Sequence, residues 1–170
     1  MKSVLILRHA KSSWKHLELT DHDRPLNKRG KRDAPRVGKL LKNQHLVPEA
    51  IVSSTAIRAR ATAELVAKAS GYKGEGRGEV EITLNNSLYA AGPQAYLDVL
   101  HDISDDYNRV MIVGHNPGLE DLVEMLTGEI HIMPTCSLAY VKLMGIQSWL
   151  EIDYNTKGKL EVIWRPRDLI

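Results

Sequence analysis

A three-layer α/β/α fold around a mostly parallel sheet with an antiparallel edge is predicted by three features of this chain. Residues 3–7, 50–52 and 109–113 are short apolar runs, rich in Val and Ile and not alternating with polar residues, as in strands buried on both faces. Stretches with helical spacing of apolar residues separate them, so strands alternate with helices. Near the C-terminus, residues 137–143, 149–154 and 159–164 read as strands at close intervals with no helix between them, which suits antiparallel pairing.

The elements follow in order. Residues 3–7 form the first strand, and 16–27, polar and holding Pro25, a loop. Residues 28–42 carry Ala34, Val37 and Leu41 at helical spacing, with Pro35 as the expected first turn of the true helix. The second strand, 50–52, ends at Ser53-Ser54, and 57–70 is a helix with Thr62, Leu65, Val66 and Ala69 on its inner face. Residues 71–78 read as a glycine-rich charged surface loop lacking the Gly-Lys-Ser/Thr ending of a P-loop, and 80–84 as a weak strand. Pro93 opens a helix over 94–102 that buries Tyr96, Leu97 and Leu100. After the strand 109–113, Leu119, Leu122, Val123 and Leu126 mark a short amphipathic helix. The 170 residues are expected to form one domain.

Composition narrows the function classes. A formal net charge of +2 is too small to point to nucleic acid or a membrane surface, and no apolar run has the roughly 18 residues of a spanning helix. The N-terminus enters the first strand without the pattern of a signal peptide, and Cys136 has no second cysteine to pair with, so a cytoplasmic protein is expected. The chain contains no Phe, so Leu, Ile, Val and Ala must supply most of the core.

Three strong strands end in polar residues: Arg8-His9, Ser53-Ser54 leading to Arg58, and Gly114-His115-Asn116-Pro117. As parallel neighbours they would bring two histidines and two arginines to one crevice beyond the carboxyl ends of the strands. A cation beside His9 favours the neutral, nucleophilic imidazole. Arginine forks suit the oxygens of a phosphate. Asn116 is expected to cap a helix opening at Pro117, whose free N–H groups would face the same anion. A histidine with cationic partners suggests phosphoryl transfer onto nitrogen followed by hydrolysis.

These motifs, Arg8-His9-Ala10, Ser54-x-x-x-Arg58-Ala59-x-x-Thr62-Ala63 and Gly114-His115-Asn116-Pro117, resemble the histidine phosphatase superfamily, which includes the phosphoglycerate mutases. Arg-His-Ala in place of the commoner Arg-His-Gly, the short length, and Asp23-Arg24-Pro25-Leu26 with Arg29-Gly30 look like the SixA-type phosphohistidine phosphatases. The resemblance spans roughly residues 3–145. It implies a phosphoglycerate mutase-like fold and no metal or organic cofactor. It implies that His9 attacks phosphorus, that Arg8 and Arg58 clamp the equatorial oxygens, and that His115 donates to the same group. Arg24, Ser12 and Asn116 are further candidate phosphate contacts, with a loop-anchoring salt bridge from Arg24 to Asp21 or Asp23 as the rival role.

Many superfamily members protonate the leaving oxygen with a carboxylic acid. Residues 88–92, Leu-Tyr-Ala-Ala-Gly, where the acid is expected, hold no carboxylate, leaving Asp21 and Asp23 as possible substitutes. A phosphoramidate has a better leaving group and can do without a strong acid, which favours phosphohistidine in a protein, reached through an open crevice. A broad small-molecule phosphatase and a phosphate-binding module without turnover are the alternatives. A cysteine phosphatase is excluded because Lys142 stands where its phosphate-cradling arginine belongs. His16, His22, His45, His101 and His131 show no metal-ligand spacing. The basic run 28–32 reads as a solvated helix start that can also steer an acidic partner protein. Composition is silent on oligomeric state.

Overall fold

A computed structural model describes residues 1–74 and 81–169. In chain order the elements are β1 (Ser3–Arg8), α1 (Lys28–Asn43), β2 (Ala50–Ser53), α2 (Ile57–Ser70), β3 (Thr83–Leu84), α3 (Pro93–His101), β4 (Arg109–Gly114), α4 (Gly118–Thr127), β5 (Leu138–Met144) and β6 (Lys157–Trp164). The sheet runs β3-β2-β4-β1-β5-β6. The first four strands in that order are parallel, β5 lies antiparallel to β1, and β6 antiparallel to β5. The predicted mixed sheet is therefore present, with its antiparallel part at the β5-β6 edge.

Period-two alternation along the buried strands builds two apolar layers. Val4, Ile6, Val110 and Ile112 face α3 and α4, where they meet Leu97, Leu100, Leu119, Leu122 and Val123. Leu5, Leu7, Met111 and Val113 face α1 and α2, against Val37, Leu41, Ala59, Ala63 and Val66. The core manages without Phe in two ways. Trp149 and Tyr96 are the bulkiest fully buried side chains, and the alanines of α2 leave little space between that helix and the sheet.

Several local expectations are corrected. Residues 149–154 are not a strand: Trp149–Glu151 is a 3-10 turn closed by a capping box, in which Ser148 and Glu151 satisfy each other's backbone N–H groups. Pro35 does not mark the start of α1. The helix opens seven residues earlier, at Lys28, where Asn27 accepts from Gly30 N at 2.9 Å. It continues through Pro35, and at Gly38 it packs closely on Val66, Ala69 and Ser70 of α2. The inner face of α2 is Ala59, Thr62, Ala63, Val66 and Ala67, with Leu65 and Ala69 only half-buried. The weak strand reduces to Thr83–Leu84; its predicted start and the second half of the glycine-rich loop fall at 75–80, outside the described residues. No described helix is long and apolar enough to cross a membrane.

Candidate active site

Adjacent parallel strands bring the predicted residues together. Arg8 of β1 sits in register with Gly114 of β4, and Ser53 of β2 with Val113, so the three strand tips share one edge. His9 is fastened there by its backbone: its N–H donates to Gly114 O at 3.1 Å and its carbonyl accepts from Cys136 N at 2.9 Å. Thr62 ties α2 to the same point, accepting from Ala10 N at 2.9 Å and donating to Arg58 O at 2.6 Å. The first turn of α2 is thereby set against His9, and Arg58 with it.

The side chain of His9 is buried, and its Nδ1 lies 2.7 Å from the carbonyl oxygen of Ala10. A carbonyl only accepts, so Nδ1 carries the proton and the neutral ring keeps its lone pair on Nε2. Arg58 Nε donates toward that Nε2 at 3.4 Å. Burial pushes the His9 pKa down to about 3, with smaller contributions from His115, Arg58 and Arg8. The neutral imidazole expected from the neighbouring arginine is present, but desolvation is its main cause. His115 stands beside His9, ring centroids 5.1 Å apart. Its Nε2 meets Ser54 Oγ at 2.8 Å, and its Nδ1 lies 3.5 Å from Arg58 Nη2. Burial, then Arg58, lowers its pKa to about 4. Its backbone N–H donates to Tyr96 OH at 3.1 Å, a hydroxyl whose place next to Gly114 a Cβ would fill.

Arg8 donates from Nη1 to Met133 O at 2.9 Å, while its Nε is buried with no partner among the described residues. Burial lowers its pKa against the opposing pull of Glu120, but a guanidinium stays charged.

Asp21 enters the site as a hydrogen-bond acceptor, and the salt bridge with Arg24 offered as the rival role is present. Its carboxylate accepts from Tyr89 OH at 2.7 Å, from Arg58 Nη2 at 3.0 Å and from Arg24 Nη1 at 3.0 Å, and its carbonyl accepts from Arg58 Nη1 at 2.6 Å. These hydrogen bonds, the tyrosine's first, hold the carboxyl far below the usual carboxylate range. Asp21 in this arrangement is a permanent acceptor with no proton to give. Asp23 lies outside the cluster, 3.2 Å from the exposed ring of His22.

The other candidates divide. Arg24 is buried beneath Trp14, its guanidinium carbon 3.2 Å from the ring centre, and donates to Ser13 O, Asp21 and Ser12 Oγ. These are the bonds of a loop brace, and Ser12 serves it as acceptor at 2.5 Å. Asn116 does not cap α4. Its Nδ2 donates to Glu120 Oε1 and Met133 O, both at 2.8 Å, and the helix begins at Gly118 with no side-chain cap. The pull of Glu120 and Met133 turns the amide away from the helix N–H groups.

Tyr89, Ser54 and His22 join the site without a role that the sequence predicts. Tyr89 lies in the 88–92 segment where an acid is expected, edge-on to His115 at 5.6 Å, and its hydroxyl reaches Asp21. That bond raises the Tyr89 pKa. His22 packs edge-on to Tyr89 at 4.9 Å and meets Thr55 Oγ1 at 2.9 Å. Ser54 was legible as a motif position, but its bond to His115 required the fold. Among the described residues no group of three or more His, Cys, Asp or Glu is placed to bind a metal ion.

Comparison with known proteins places the chain in a family. The sequence profile of the histidine phosphatase superfamily (branch 1) matches residues 4–82. An uncharacterized chloroplastic protein of Arabidopsis thaliana is 35% identical over 158 residues, covering 88% of this chain and 70% of the relative. An uncharacterized protein of Mycobacterium leprae is 30% identical over 160 residues, 86% of this chain and 93% of the relative. Among solved structures, a SixA protein of Agrobacterium tumefaciens assigned as a phosphohistidine phosphatase superposes with a TM-score of 0.78 at 29% identity, over 97% of this chain and 98% of that one. The protein histidine phosphatase SixA complexed with tungstate shares the fold, with a TM-score of 0.80 at 22% identity over 99% of both chains. The chain belongs to the histidine phosphatase superfamily, as a SixA-type member: a phosphatase that acts through a histidine.

Proposed function

We propose that this phosphatase hydrolyses phosphohistidine in proteins and carries the phosphoryl group transiently on His9. One observation carries the reading: a neutral, buried His9 with its lone pair on Nε2, set 3.4 Å from Arg58 Nε, next in the chain to Arg8, whose buried Nε has no partner among the described residues. The Nε2 lone pair attacks phosphorus while the guanidinium groups of Arg8 and Arg58 take up charge on the equatorial oxygens. The bond from phosphorus to the substrate's imidazole nitrogen breaks, and that nitrogen takes a proton from water. Water then attacks the phosphohistidine, the Nε2–phosphorus bond breaks, and orthophosphate leaves. His9 returns to its starting tautomer with Nδ1 still bonded to Ala10 O. His115 contacts the phosphoryl group through its pocket-facing Nδ1.

The substrate class follows from the proton inventory. Asp21 is locked as an ionised acceptor, and the hydroxyl of Tyr89 has a raised pKa. Neither supports protonation of an alkoxide, whereas an imidazole is a far better leaving group. The SixA protein of Agrobacterium tumefaciens adds support from its assignment. A cytoplasmic setting belongs to the same reading, since Cys136 is a buried free thiol whose pKa burial pushes up to about 12.

Brief exposure to a labelled phosphodonor, followed by acid or base quench, tests the mechanism. An acid-labile, base-stable label that vanishes in His9→Ala is expected; a normal label in that variant overturns it. Faster turnover of a phosphohistidine protein than of simple alkyl phosphates is expected, and equal rates would remove the substrate assignment.

A further inference from the structure

A basic groove of about 690 Å³ lies outside the phosphate site. Arg29, His131, Arg165 and Arg167 line it; Glu129 lies 3.3 Å from His131 Nε2 and Asp168 accepts from Arg165 N, but neither carboxylate is among the lining residues, and Ile130 and Ile132 stand 80% and 73% exposed along it. Two large aliphatic side chains this open to water, framed by arginines, are not explained by packing. Arg167 has no hydrogen-bond or ion-pair partner among the described residues. Arg29 reaches Asp33 only at 3.7 Å, and that carboxylate is shared with Arg32 and Arg36, so the groove keeps a positive surplus.

The groove and the phosphate site are joined through the backbone. Arg165 donates from Nε and Nη2 to Ile132 O at 3.1 and 2.9 Å, and the next carbonyl, Met133 O, accepts from Arg8 Nη1 at 2.9 Å. On the other side, Gly30, next to Arg29, packs so tightly on the Lys11 backbone that a Cβ would overlap its carbonyl oxygen. Lys11 lies two positions after His9. A chain whose phosphorylated residue enters the His9 pocket therefore has this groove beside it.

We infer that the groove docks an acidic, aliphatic-bearing segment of the phosphoprotein substrate, an assignment of partner that rests on the phosphoprotein reading above. Carboxylates of the segment meet Arg29 and Arg167, and its apolar residues cover Ile130 and Ile132. Such pairing raises encounter rate and selects partners more than it adds raw affinity, and it weakens with salt.

The test is fluorescence anisotropy with a fluorescein-labelled peptide of Glu-Glu-Leu repeats, using wild type and the double variant Arg29→Glu/Arg167→Glu. Both sites are exposed, and neither belongs to the catalytic machinery, so phosphoramidate turnover should be unchanged and also reports folding. Binding to wild type that weakens on the order of tenfold in the variant, and falls as salt rises, is expected. Equal affinity of the two proteins, or equally tight binding of a Lys-Lys-Leu peptide by wild type, overturns the inference. The anisotropy involves no phosphoryl transfer. Failure of the phosphohistidine reading would appear in the hydrolysis assay, and failure of the docking surface would appear here.

Discussion

Asp21→Asn separates two roles for the carboxylate that most needs one. As a general acid, Asp21 would have to hold a proton near neutral pH. Its bonds to Tyr89, Arg58 and Arg24 hold it ionised instead, so its role is to orient Arg58. The two Nη nitrogens of Arg58 are both engaged by Asp21, through carboxylate and carbonyl, which leaves Nε directed at His9. The substitution keeps the carbonyl contact and one acceptor oxygen but removes the charge. Buried charge-assisted hydrogen bonds contribute about 1.5–3 kcal/mol each. The carboxylate side chain is 51% exposed, so solvent screening brings the pair with Arg58 to about 1 kcal/mol or a little more. Misdirection of Arg58 should then lower kcat/KM by about tenfold, since 1.4 kcal/mol corresponds to that factor.

The leaving group decides between the roles. An orienting carboxylate acts on the phosphoryl oxygens, so the loss should be the same for phosphoramidate, an aryl phosphate and an alkyl phosphate. An acid matters most where the leaving group is poorest. Initial rates of wild type and Asp21→Asn on these three substrates measure the difference. A loss that grows steeply from phosphoramidate to alkyl phosphate would refute the orienting role and restore Asp21 as the acid.

Three further outcomes are expected. Ser54→Ala removes the partner 2.8 Å from His115 Nε2 and frees the ring, so kcat should fall roughly tenfold with KM nearly unchanged; unaltered kcat would dismiss Ser54 as a positioning residue. His9 and His115 stay neutral down to about 3 and about 4 against an ordinary 6.5, so between about pH 6.5 and 4 the unfolded chain binds protons that the folded one refuses. Stability is then lost as pH falls through that window, with a slope of about 1.4 kcal/mol per pH unit for each histidine in mid-window, and a flat urea midpoint there would contradict the burial of both rings. Gly114→Ala drives a methyl group into the Tyr96 hydroxyl and should cost about 1–3 kcal/mol by thermal melt, partly regained in Gly114→Ala/Tyr96→Phe.

The strand tips were legible because a parallel strand buried on both faces reads as an unbroken apolar run, and in β1, β2 and β4 that run stops at the candidate site residues. The alternation Leu150-Glu151-Ile152-Asp153-Tyr154 imitates a strand, and the decisive signal was the Ser148-x-x-Glu151 pair, which closes a capping box. Asn116 looked like a cap because local sequence does not reveal that Glu120 and Met133 compete for its amide. Asp21 and Tyr89 are 68 positions apart, and the bond that strips the carboxyl of its acid function exists only once the loop and the segment after β3 meet over Arg58. What composition and spacing miss here is long-range competition for hydrogen bonds.

That competition also explains how two buried histidines with similarly depressed pKa values suit the different roles proposed for them. His9 gives its Nδ1 proton to Ala10 O and presents a bare Nε2. His115 is held at Nε2 by Ser54 and presents Nδ1. The rings lie 5.1 Å apart and turn opposite nitrogens toward the same guanidinium, Arg58 Nε for one and Nη2 for the other. Burial keeps both neutral, which suits His9 to the proposed role of nucleophile. An entering phosphoryl group brings negative charge and reverses that balance, favouring the protonated form of a nearby ring. His9 cannot take that proton on Nε2 while bonded to phosphorus, so the shift falls on His115, whose Nδ1 can become a cationic donor to the oxygens. The assignment of nucleophile and donor is therefore set by which nitrogen the backbone and Ser54 occupy.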